Sequence, residues 1–384
     1  MRPEMDLTPP RCGGIYIHIP FCIRKCPYCD FYSVTDVSRQ DEFVQALMRE
    51  IRLYQGGSGN FDTVYFGGGT PSILAPEAVG RILETVMQTF SAASDTEITL
   101  EVNPGTVNHR SLAEFRQVGI NRLNIGVQSF RADALRFLGR IHTADEAARV
   151  IGQAGDVGFD NIGLDLIYGL PDQTASDWRA DVCRALEFTP EHLSCYMLTY
   201  EAGTPMDLAR KQGLFRPLAD DPAGDLFDLT SDLLQARGYE HYEISNYART
   251  PSLRSRHNQK YWDFTPYLGF GPSAHAFNPP RRYWNHRDLR AWLADLDQGR
   301  RPVQGEERLT REQHITEALY LGLRRVEGID IREFDRVFGE CFVRRYADGI
   351  EQLIQMKCIE LSPDACRLTR KGMRYLDSIV ALLI

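Results

Sequence analysis

The stretch Cys22-Ile23-Arg24-Lys25-Cys26-Pro27-Tyr28-Cys29 closely follows an apolar run at residues 14–19 and decides how this chain is interpreted. Three thiolates on a loop that leaves a strand can bind three irons of a cubane cluster and leave the fourth iron open to a small-molecule ligand. The alternatives are a zinc knuckle or three packed thiols. A structural zinc site usually has four protein ligands, and no fourth Cys or His lies in the loop after Cys29. The spacing therefore predicts that Cys22, Cys26 and Cys29 bind a [4Fe-4S] cluster.

Length and composition indicate a large α/β domain followed by a smaller one. The chain has 384 residues, of which 43% are hydrophobic and 25% are charged, and these values are ordinary for a globular protein. The net charge of -8 disfavours a nucleic-acid partner. Residues 1–10 lack the apolar core of a signal peptide, and no apolar run reaches the length of about 18 residues that a transmembrane segment needs. The remaining cysteines are scattered and suit a reducing compartment, so we expect a cytoplasmic protein.

Short apolar runs alternate with amphipathic segments in the first half of the chain. The runs lie at residues 15–19, 63–66, 97–102, 122–127, 161–166 and 192–198. Helical periodicity predicts helices at residues 40–54, 75–90, 111–118, 144–157 and 175–186. Such repetition predicts parallel strands joined by right-handed crossovers. We therefore expect an α/β fold, a partial (β/α)6 TIM-type barrel over residues 8–245, with an open doubly wound sheet as the alternative.

The pattern changes after the predicted barrel. Residues 246–307 are rich in aromatic residues, Pro and Arg, show little periodicity, and predict a partly irregular connecting region. Residues 308–384 predict a mainly helical, winged-helix-like C-terminal domain. Its helices are expected at residues 311–323, 331–338, 343–356 and 371–383, and its wing at residues 358–362 and 365–368. Basic and acidic side chains nearly balance there, which does not favour DNA binding by a zinc-stabilised winged-helix regulator, the alternative from another functional class.

Glycine-rich or polar segments follow the predicted strands. The second strand leads into Gly67-Gly68-Gly69-Thr70-Pro71, the third ends at Glu101, the fourth at Gln128 and the fifth at Asp165. Each feature alone can be a tight turn or a satisfied buried polar group. In a barrel of parallel strands, however, chemistry gathers at the C-terminal ends of the strands. Their common position therefore predicts that these segments bind one ligand next to the cysteine loop.

These motifs resemble those of a known superfamily. CxxxCxxC after a first strand is similar to the radical SAM proteins, and GGGTP, EVNPGT, GVQSF, LGRIH and DLIYGLP resemble segments of the oxygen-independent coproporphyrinogen III oxidase family. The resemblance covers nearly the whole chain and implies that S-adenosylmethionine binds the open iron of the cluster. It implies S-adenosylmethionine contacts at Tyr16, Tyr28, Gly68, Gly69, Thr70, Glu101, Gln128, Arg140 and Asp165.

Two features point to one branch of that family. The oxidases have a further cysteine two positions after the third, where this chain has Phe31. The chain also has His257-Asn258-Gln259-Lys260-Tyr261-Trp262, which resembles the HNxxYW motif of the heme chaperone branch. The resemblance implies that the protein binds heme and transfers it to acceptor proteins, membrane-associated ones among them. The alternative is a coproporphyrinogen III oxidase or another radical enzyme that acts on a tetrapyrrole.

The same motif suggests where heme binds. Imidazole is a common axial ligand of heme iron, so His257 is the predicted ligand, and Tyr261 and Trp262 are expected to pack against the macrocycle. The candidates for pairing with the propionates are Arg254, Arg256, Arg281 and Arg282, and the alternative iron ligands are His18 and His275. A different interpretation of HNxxYW is a buried polar and aromatic cluster that caps the barrel.

Overall fold

Parallel strands at the centre of the molecule follow one another in chain order. The computed structural model describes residues 12–56 and 59–384, so the prediction that residues 1–10 lack a signal peptide lies outside the described residues. The central strands are β1 (Gly13–Ile19), β2 (Asn60–Gly68), β3 (Ser91–Val102), β4 (Arg122–Gln128), β5 (Ile162–Tyr168) and β6 (His192–Met197). Their order has no reversal of the kind that defines a doubly wound sheet. The barrel-type α/β prediction is therefore confirmed, and the doubly wound alternative is wrong.

Amphipathic helices connect these strands. They are α1 (Gln40–Arg52), α2 (Pro76–Thr89), α3 (His109–Gln117), α4 (Ala132–Phe137), α5 (Ala144–Asp156), α6 (Ala175–Glu187), α7 (Pro205–Lys211) and α8 (Asp220–Gln235). Local sequence sets where they begin: Thr143 and Thr174 form capping boxes for α5 and α6, and Pro76 occupies the first turn of α2. α1 buries Phe43, Leu47 and Ile51, which lie on one face at helical spacing.

The sheet continues beyond both edges of the barrel. On one side β8 (Asn246–Ala248) pairs antiparallel with β6 and is followed by β7 (Glu240–Glu243). On the other side β9 (Tyr267–Phe270) runs parallel to β1, and β10 (His275–Asn278), β11 (Arg281–Asn285) and β12 (Val303–Arg308) form an antiparallel meander. Residues 246–307 also include α9 (Arg256–Trp262) and α10 (Leu289–Asp297). This segment is therefore more regular than its sequence pattern predicted, because strands of so few residues are too short to show a period.

The C-terminal region is mainly helical, as predicted. Its elements are α11 (Arg311–Arg324), β13 (Ile329–Asp330), α12 (Ile331–Phe338), α13 (Phe342–Arg345), α14 (Ala347–Gln355), β14 (Ile359–Leu361), β15 (Ala365–Leu368), α15 (Arg370–Met373) and α16 (Leu376–Leu383). Two helices that were predicted as continuous, at residues 343–356 and 371–383, are each interrupted. Ion pairs from Arg374 to Asp228 and from Arg370 to Asp232 connect this region to α8. The domain limits at residues 245 and 307 stay predictions.

None of the helices in the described part of the chain combines the length and the apolar character that a membrane-spanning helix needs.

Candidate functional site

The cysteine loop leaves the C-terminal end of β1. Cys22 is buried, Cys26 and Cys29 are partly exposed, and none of them forms a disulfide. The Cys22 amide donates a hydrogen bond to the Val34 carbonyl (3.0 Å), and the Cys29 amide donates one to the Cys26 carbonyl (3.2 Å). Hydrogen bonds therefore hold the backbone at Cys22 and Cys29, and none of the three sulfur atoms is committed to a disulfide.

A second loop, after β2, packs directly against the cysteines. A Cβ atom on Gly69 would lie 2.7 Å from the Phe21 carbonyl oxygen and 3.2 Å from the Cys22 sulfur, so only glycine permits this approach. The next residue, Thr70, donates its hydroxyl to the Cys22 sulfur at 3.4 Å. The Arg140 guanidinium donates to the Cys26 sulfur at 3.6 Å. Two of the three sulfur atoms therefore lie within hydrogen-bond reach of a side chain from another part of the barrel.

The cysteine loop supplies three thiols, one fewer than the four protein ligands of a usual structural zinc site. In the described residues, no three His, Cys, Asp or Glu side chains are grouped closely enough to hold a metal ion, and this applies to the three cysteines as well. Burial raises the pKa of the Cys29 thiol, against an opposing hydrogen bond from the Phe31 backbone. A bound metal reverses that effect, because coordinated thiols lose their proton.

Glu101 lies beside the glycine loop inside the barrel. Its Oε1 accepts a hydrogen bond from the Tyr65 hydroxyl at 2.8 Å. Burial raises the pKa of Glu101 to about 7; the charge of Asp165 adds to this shift, and the Tyr65 hydrogen bond opposes it. A Cβ on Gly67 would lie 3.0 Å from the rings of Tyr16 and Tyr65, so the predicted contacts Tyr16 and Glu101 share one wall with the glycines.

Asp165 and Arg140 carry polar atoms that lack partners. One Asp165 oxygen accepts from the Asn124 amide at 2.6 Å; the other is buried without a hydrogen bond of good geometry, although the Ser194 hydroxyl is near enough to stabilise the carboxylate. Burial raises the pKa of Asp165 to about 6. Arg140 donates to the Gly126 carbonyl at 2.7 Å, and its Nε is likewise buried without a partner. Buried polar groups are normally bonded, so these two atoms are candidates to bind a ligand at this site.

The other predicted contacts lie close to the same end of the barrel. Gln128 ends β4 with a φ of 67°, a left-handed conformation that is uncommon outside glycine and is frequent at binding sites. The Tyr28 ring, in the cysteine loop, packs against a small apolar cluster that includes Leu138, Ile167 and Leu170, and burial raises its pKa. The nine residues predicted to contact S-adenosylmethionine therefore come from β1 to β5 and the loops that follow them.

His18, an alternative iron ligand, has both ring nitrogens engaged. Its Nε2 donates to the Tyr32 carbonyl at 2.9 Å, and its Nδ1 lies 3.2 Å from the Tyr16 hydroxyl. Burial lowers the pKa of His18 to about 4, so the ring is neutral at pH 7. His275 differs, because its ring is exposed and stacks on Trp284 with centroids 5.8 Å apart.

The HNxxYW segment lies at the opposite end of the barrel from the cysteines. His257 is 1% exposed and packs beside Gly14 at the start of β1. Its Nδ1 is 2.8 Å from the Thr63 hydroxyl, and its Nε2 is 2.9 Å from the Tyr261 hydroxyl. Burial lowers the pKa of His257 to about 3. This geometry matches the buried polar and aromatic cluster, and iron binding at His257 would require a hydrogen bond to break.

The arginines predicted to pair with propionates already have acidic partners. Arg254 pairs with Glu240 and Glu327, and Arg256 pairs with Asp62 and Asp95. The remaining pairs are Arg281 with Glu306 and Arg282 with Glu317 and Glu307. Each of these guanidinium groups can meet a propionate only in competition with a carboxylate.

Sequence reasoning missed the polar interior of the barrel. Arg122, at the start of β4, is 1% exposed, and its Nε and Nη2 have no partner among the described residues. Polar residues and glycines at alternate strand positions signal this interior, because alternate side chains point into a barrel. They include Tyr16 and His18 on β1, Thr63, Tyr65 and Gly67 on β2, Thr99 and Glu101 on β3, Arg122 and Asn124 on β4, Gly163 and Asp165 on β5, and His192 and Ser194 on β6.

Comparison with known proteins relates this site to a family. Residues 16–182 match the radical SAM superfamily, and residues 309–375 match the HemN C-terminal domain. A Lactococcus lactis protein named heme chaperone HemW is 32% identical over 368 residues, which cover 96% of both chains. An Escherichia coli protein of that name is 40% identical over 270 residues, covering 68% of this chain and 69% of its own. The solved structure of the Escherichia coli radical SAM enzyme coproporphyrinogen III oxidase (HemN) has a TM-score of 0.82 at 23% identity, covers 99% of this chain and 91% of its own, and shows the shared fold.

Proposed function

The chain belongs to the heme chaperone HemW family of the radical SAM superfamily, and on this premise we propose that it binds heme and transfers it to acceptor proteins. The observation that carries the proposal is the match, over 96% of both chains, with a relative of that name. Phe31 agrees with it, because this position has a cysteine in the oxidases. The Phe31 side chain is 65% exposed beside the cysteine loop, where it cannot bind a metal.

Membership of the superfamily implies a [4Fe-4S] cluster and S-adenosylmethionine, and we propose that Cys22, Cys26 and Cys29 hold the cluster. When bound, the cluster offers one open iron to the amino and carboxylate groups of S-adenosylmethionine. The close approach of Gly69 to Cys22 supports this placement, as does the donor that Arg140 directs at Cys26. The thiols suit a reducing compartment, and we place the protein in the cytoplasm.

The chain's own residues would position the second ligand. Gly68 and Gly69 leave room for it beside the backbone, and the carboxyl groups of Glu101 and Asp165 can accept hydrogen bonds from hydroxyl or ammonium groups. The free Nε of Arg140 is a donor for a carboxylate. The proposed contacts are Tyr16, Tyr28, Gly68, Gly69, Thr70, Glu101, Gln128, Arg140 and Asp165.

Anaerobic reconstitution followed by heme titration tests this function. We expect a Soret band that saturates with added heme, and loss of that band to an apo acceptor protein that is separated afterwards. Absence of a Soret band in protein that carries its cluster would falsify the proposal. Incubation with coproporphyrinogen, S-adenosylmethionine and a reductant tests the rival function, because formation of protoporphyrinogen would instead establish the oxidase.

A further inference from the structure

An open cleft lies at the end of the barrel opposite the cysteine loop. Its volume is about 1170 Å³, above the usual range of roughly 300–1,000 Å³ for small-molecule sites. Residues at the start of β1 and β2, the segment 262–268 after α9, and residues of α11 and α12 line it. A ligand in this cleft would therefore contact both the extended sheet and the C-terminal region.

The lining of the cleft suits a large, flat, apolar ligand. Trp262, the last residue of HNxxYW, lies in this wall, as do the rings of Tyr267, Phe277, Phe334 and Phe338. Aromatic faces pack well against a planar conjugated ring system. Trp262, unlike His257, is therefore available to pack against a macrocycle that enters this cleft.

One histidine in the lining of the cleft has a ring nitrogen without a hydrogen bond in the described part of the chain. His314, on α11, is 4% exposed, and its Nε2 forms no hydrogen bond within the described structure. Burial lowers the pKa of His314, which keeps the imidazole neutral at pH 7, the form that binds iron. The ring lies between the edges of Phe264 and Phe277, with centroids 5.9 Å and 6.5 Å away. A buried nitrogen without a partner is costly unless a ligand satisfies it.

The guanidinium group of Arg301 lies at the cleft and could pair with a carboxylate of a ligand. Arg301 stacks on Tyr54, 4.0 Å from the ring centroid, and its Nη2 donates to the Leu53 carbonyl at 3.0 Å; it has no acidic partner among the described ion pairs. The acids of the lining are already engaged: Glu306 pairs with Arg281, Asp330 caps α12, Asp263 accepts from Thr265, and Glu333 pairs with Arg336. A carboxylate that enters the cleft could therefore pair with Arg301, which has a hydrogen bond to a carbonyl but no acidic partner.

We propose that heme binds in this cleft, with the His314 imidazole as the iron ligand and Arg301 facing a propionate. The assignment rests on the proposed heme-binding function and deepens it, since it locates the cargo away from the cluster. Phe264 contacts the imidazole edge to face and has a φ of 58°, a conformation that is strained for a bulky residue. Because Nε2 is buried, iron binding would require the side chains around His314 to move.

Heme titration of purified full-length variants tests the assignment. We expect His314→Ala to lower heme affinity at least about tenfold and to change the Soret maximum, because the imidazole ligand is lost. Added imidazole should restore the wild-type spectrum, which it would not do if His314 only supported the fold. Arg301→Glu should weaken binding without changing the Soret maximum. His109→Ala is the matched control, because this exposed histidine of α3 lies outside the cleft lining and should leave both quantities unchanged.

The possible results of these titrations distinguish failure of the cleft assignment from failure of the proposed heme-binding function. If the wild-type protein lacks a Soret band, the proposed function fails and the site fails with it. If the wild type binds heme but His314→Ala and Arg301→Glu match it in affinity and spectrum, the cleft assignment is wrong and the function stands. Thermal unfolding of each variant confirms that a lost band does not reflect a lost fold.

Discussion

Gly68 joins β2 to the loop that approaches the cysteines, and its backbone has a φ of +106°. A Cβ at this position would lie 2.7 Å from the ring of His18, which hydrogen bonds hold in place on both sides. Backbone strain and this clash both penalise a side chain. We therefore expect Gly68→Ala to lower the free energy of unfolding by about 1–3 kcal/mol, as measured by urea denaturation.

Gly152 provides the matched control for that substitution. It lies on the exposed side of α5, and a Cβ there would meet nothing within 4 Å. Alanine favours helix, so Gly152→Ala should raise the free energy of unfolding by up to ~1 kcal/mol. If both substitutions change stability in the same direction and to the same extent, then Gly68 is not constrained by His18.

At the residue scale, the sequence allowed predictions for features that depend on a short motif, but not for contacts between residues far apart in the chain. The spacing of Cys22, Cys26 and Cys29 and the glycines after β2 could be interpreted because each motif is local. The bonding of His257 could not, because its partner Thr63 is 194 residues away in the chain. The free nitrogen of His314 was missed for the same reason: only the packed structure shows which groups surround it.

The carboxyl group of Glu50 connects α1 to the extended sheet and α10. It accepts hydrogen bonds from the Gly271 amide (2.8 Å), the Asn285 side chain (2.5 Å) and the Trp292 indole (3.1 Å). Burial raises the pKa of Glu50 to about 7, although these three donors act in the opposite direction. We therefore expect the stability that Glu50 contributes to the contact of α1 with the extended sheet and α10 to depend on pH.

The sign of that dependence follows from the raised pKa. Protonated Glu50 is favoured in the folded state, so its stabilisation is fully present below about pH 4.5 and is lost as the pH rises to about 7. Glu50→Gln removes the titration. Across this window we expect the stability of the wild type relative to the variant to fall by on the order of 3 kcal/mol in urea denaturation. Exposed Glu42→Gln on the same helix should leave the profile nearly unchanged, and parallel profiles for Glu50→Gln and the wild type would refute the linkage.

Helix α9 offers a test of the two interpretations of HNxxYW. Because both nitrogens of His257 are bonded inside the barrel, His257→Gln should lower the free energy of unfolding by about 1–3 kcal/mol. Its heme affinity and Soret maximum should match the wild type, since the ring is not in the cleft. A folded variant of unchanged stability that no longer binds heme would show that His257 is the ligand, as its motif first suggested.

At the element scale, most of the elements that were predicted are long enough for their periodicity to show. They are the six central strands and the helices α1, α2, α3, α5 and α6, of which α5 and α6 also carry capping residues. Strands β9 to β12 have four to six residues each and left no detectable period. α4 and α7, with six and seven residues, were missed for the same reason. α8 and α10, with 16 and nine residues, were missed in spite of their length.

At the scale of the whole molecule, the barrel separates two candidate sites. The cysteine loop follows the C-terminal end of β1, whereas Gly13 and Gly14 at its start line the cleft. A seven-residue strand extends about 3.3 Å per residue, so roughly 20 Å of strand lies between the two ends. Cluster and heme would therefore bind without sharing a ligand, and a cluster-deficient protein would keep its heme site.

Cys26→Ser tests this separation. The variant should lose the cluster, because one of three thiolate ligands is gone, and anaerobic measurement of iron and sulfide with EPR spectroscopy records that loss. Its heme titration should follow the wild-type curve, since no residue of the cleft is changed. Cys341→Ser, at an exposed cysteine of the C-terminal region, is the matched control and should retain both cluster and heme. Loss of cluster and heme together in folded Cys26→Ser protein would mean that the two sites are one, and the heme would then have to be sought beside the cysteine loop.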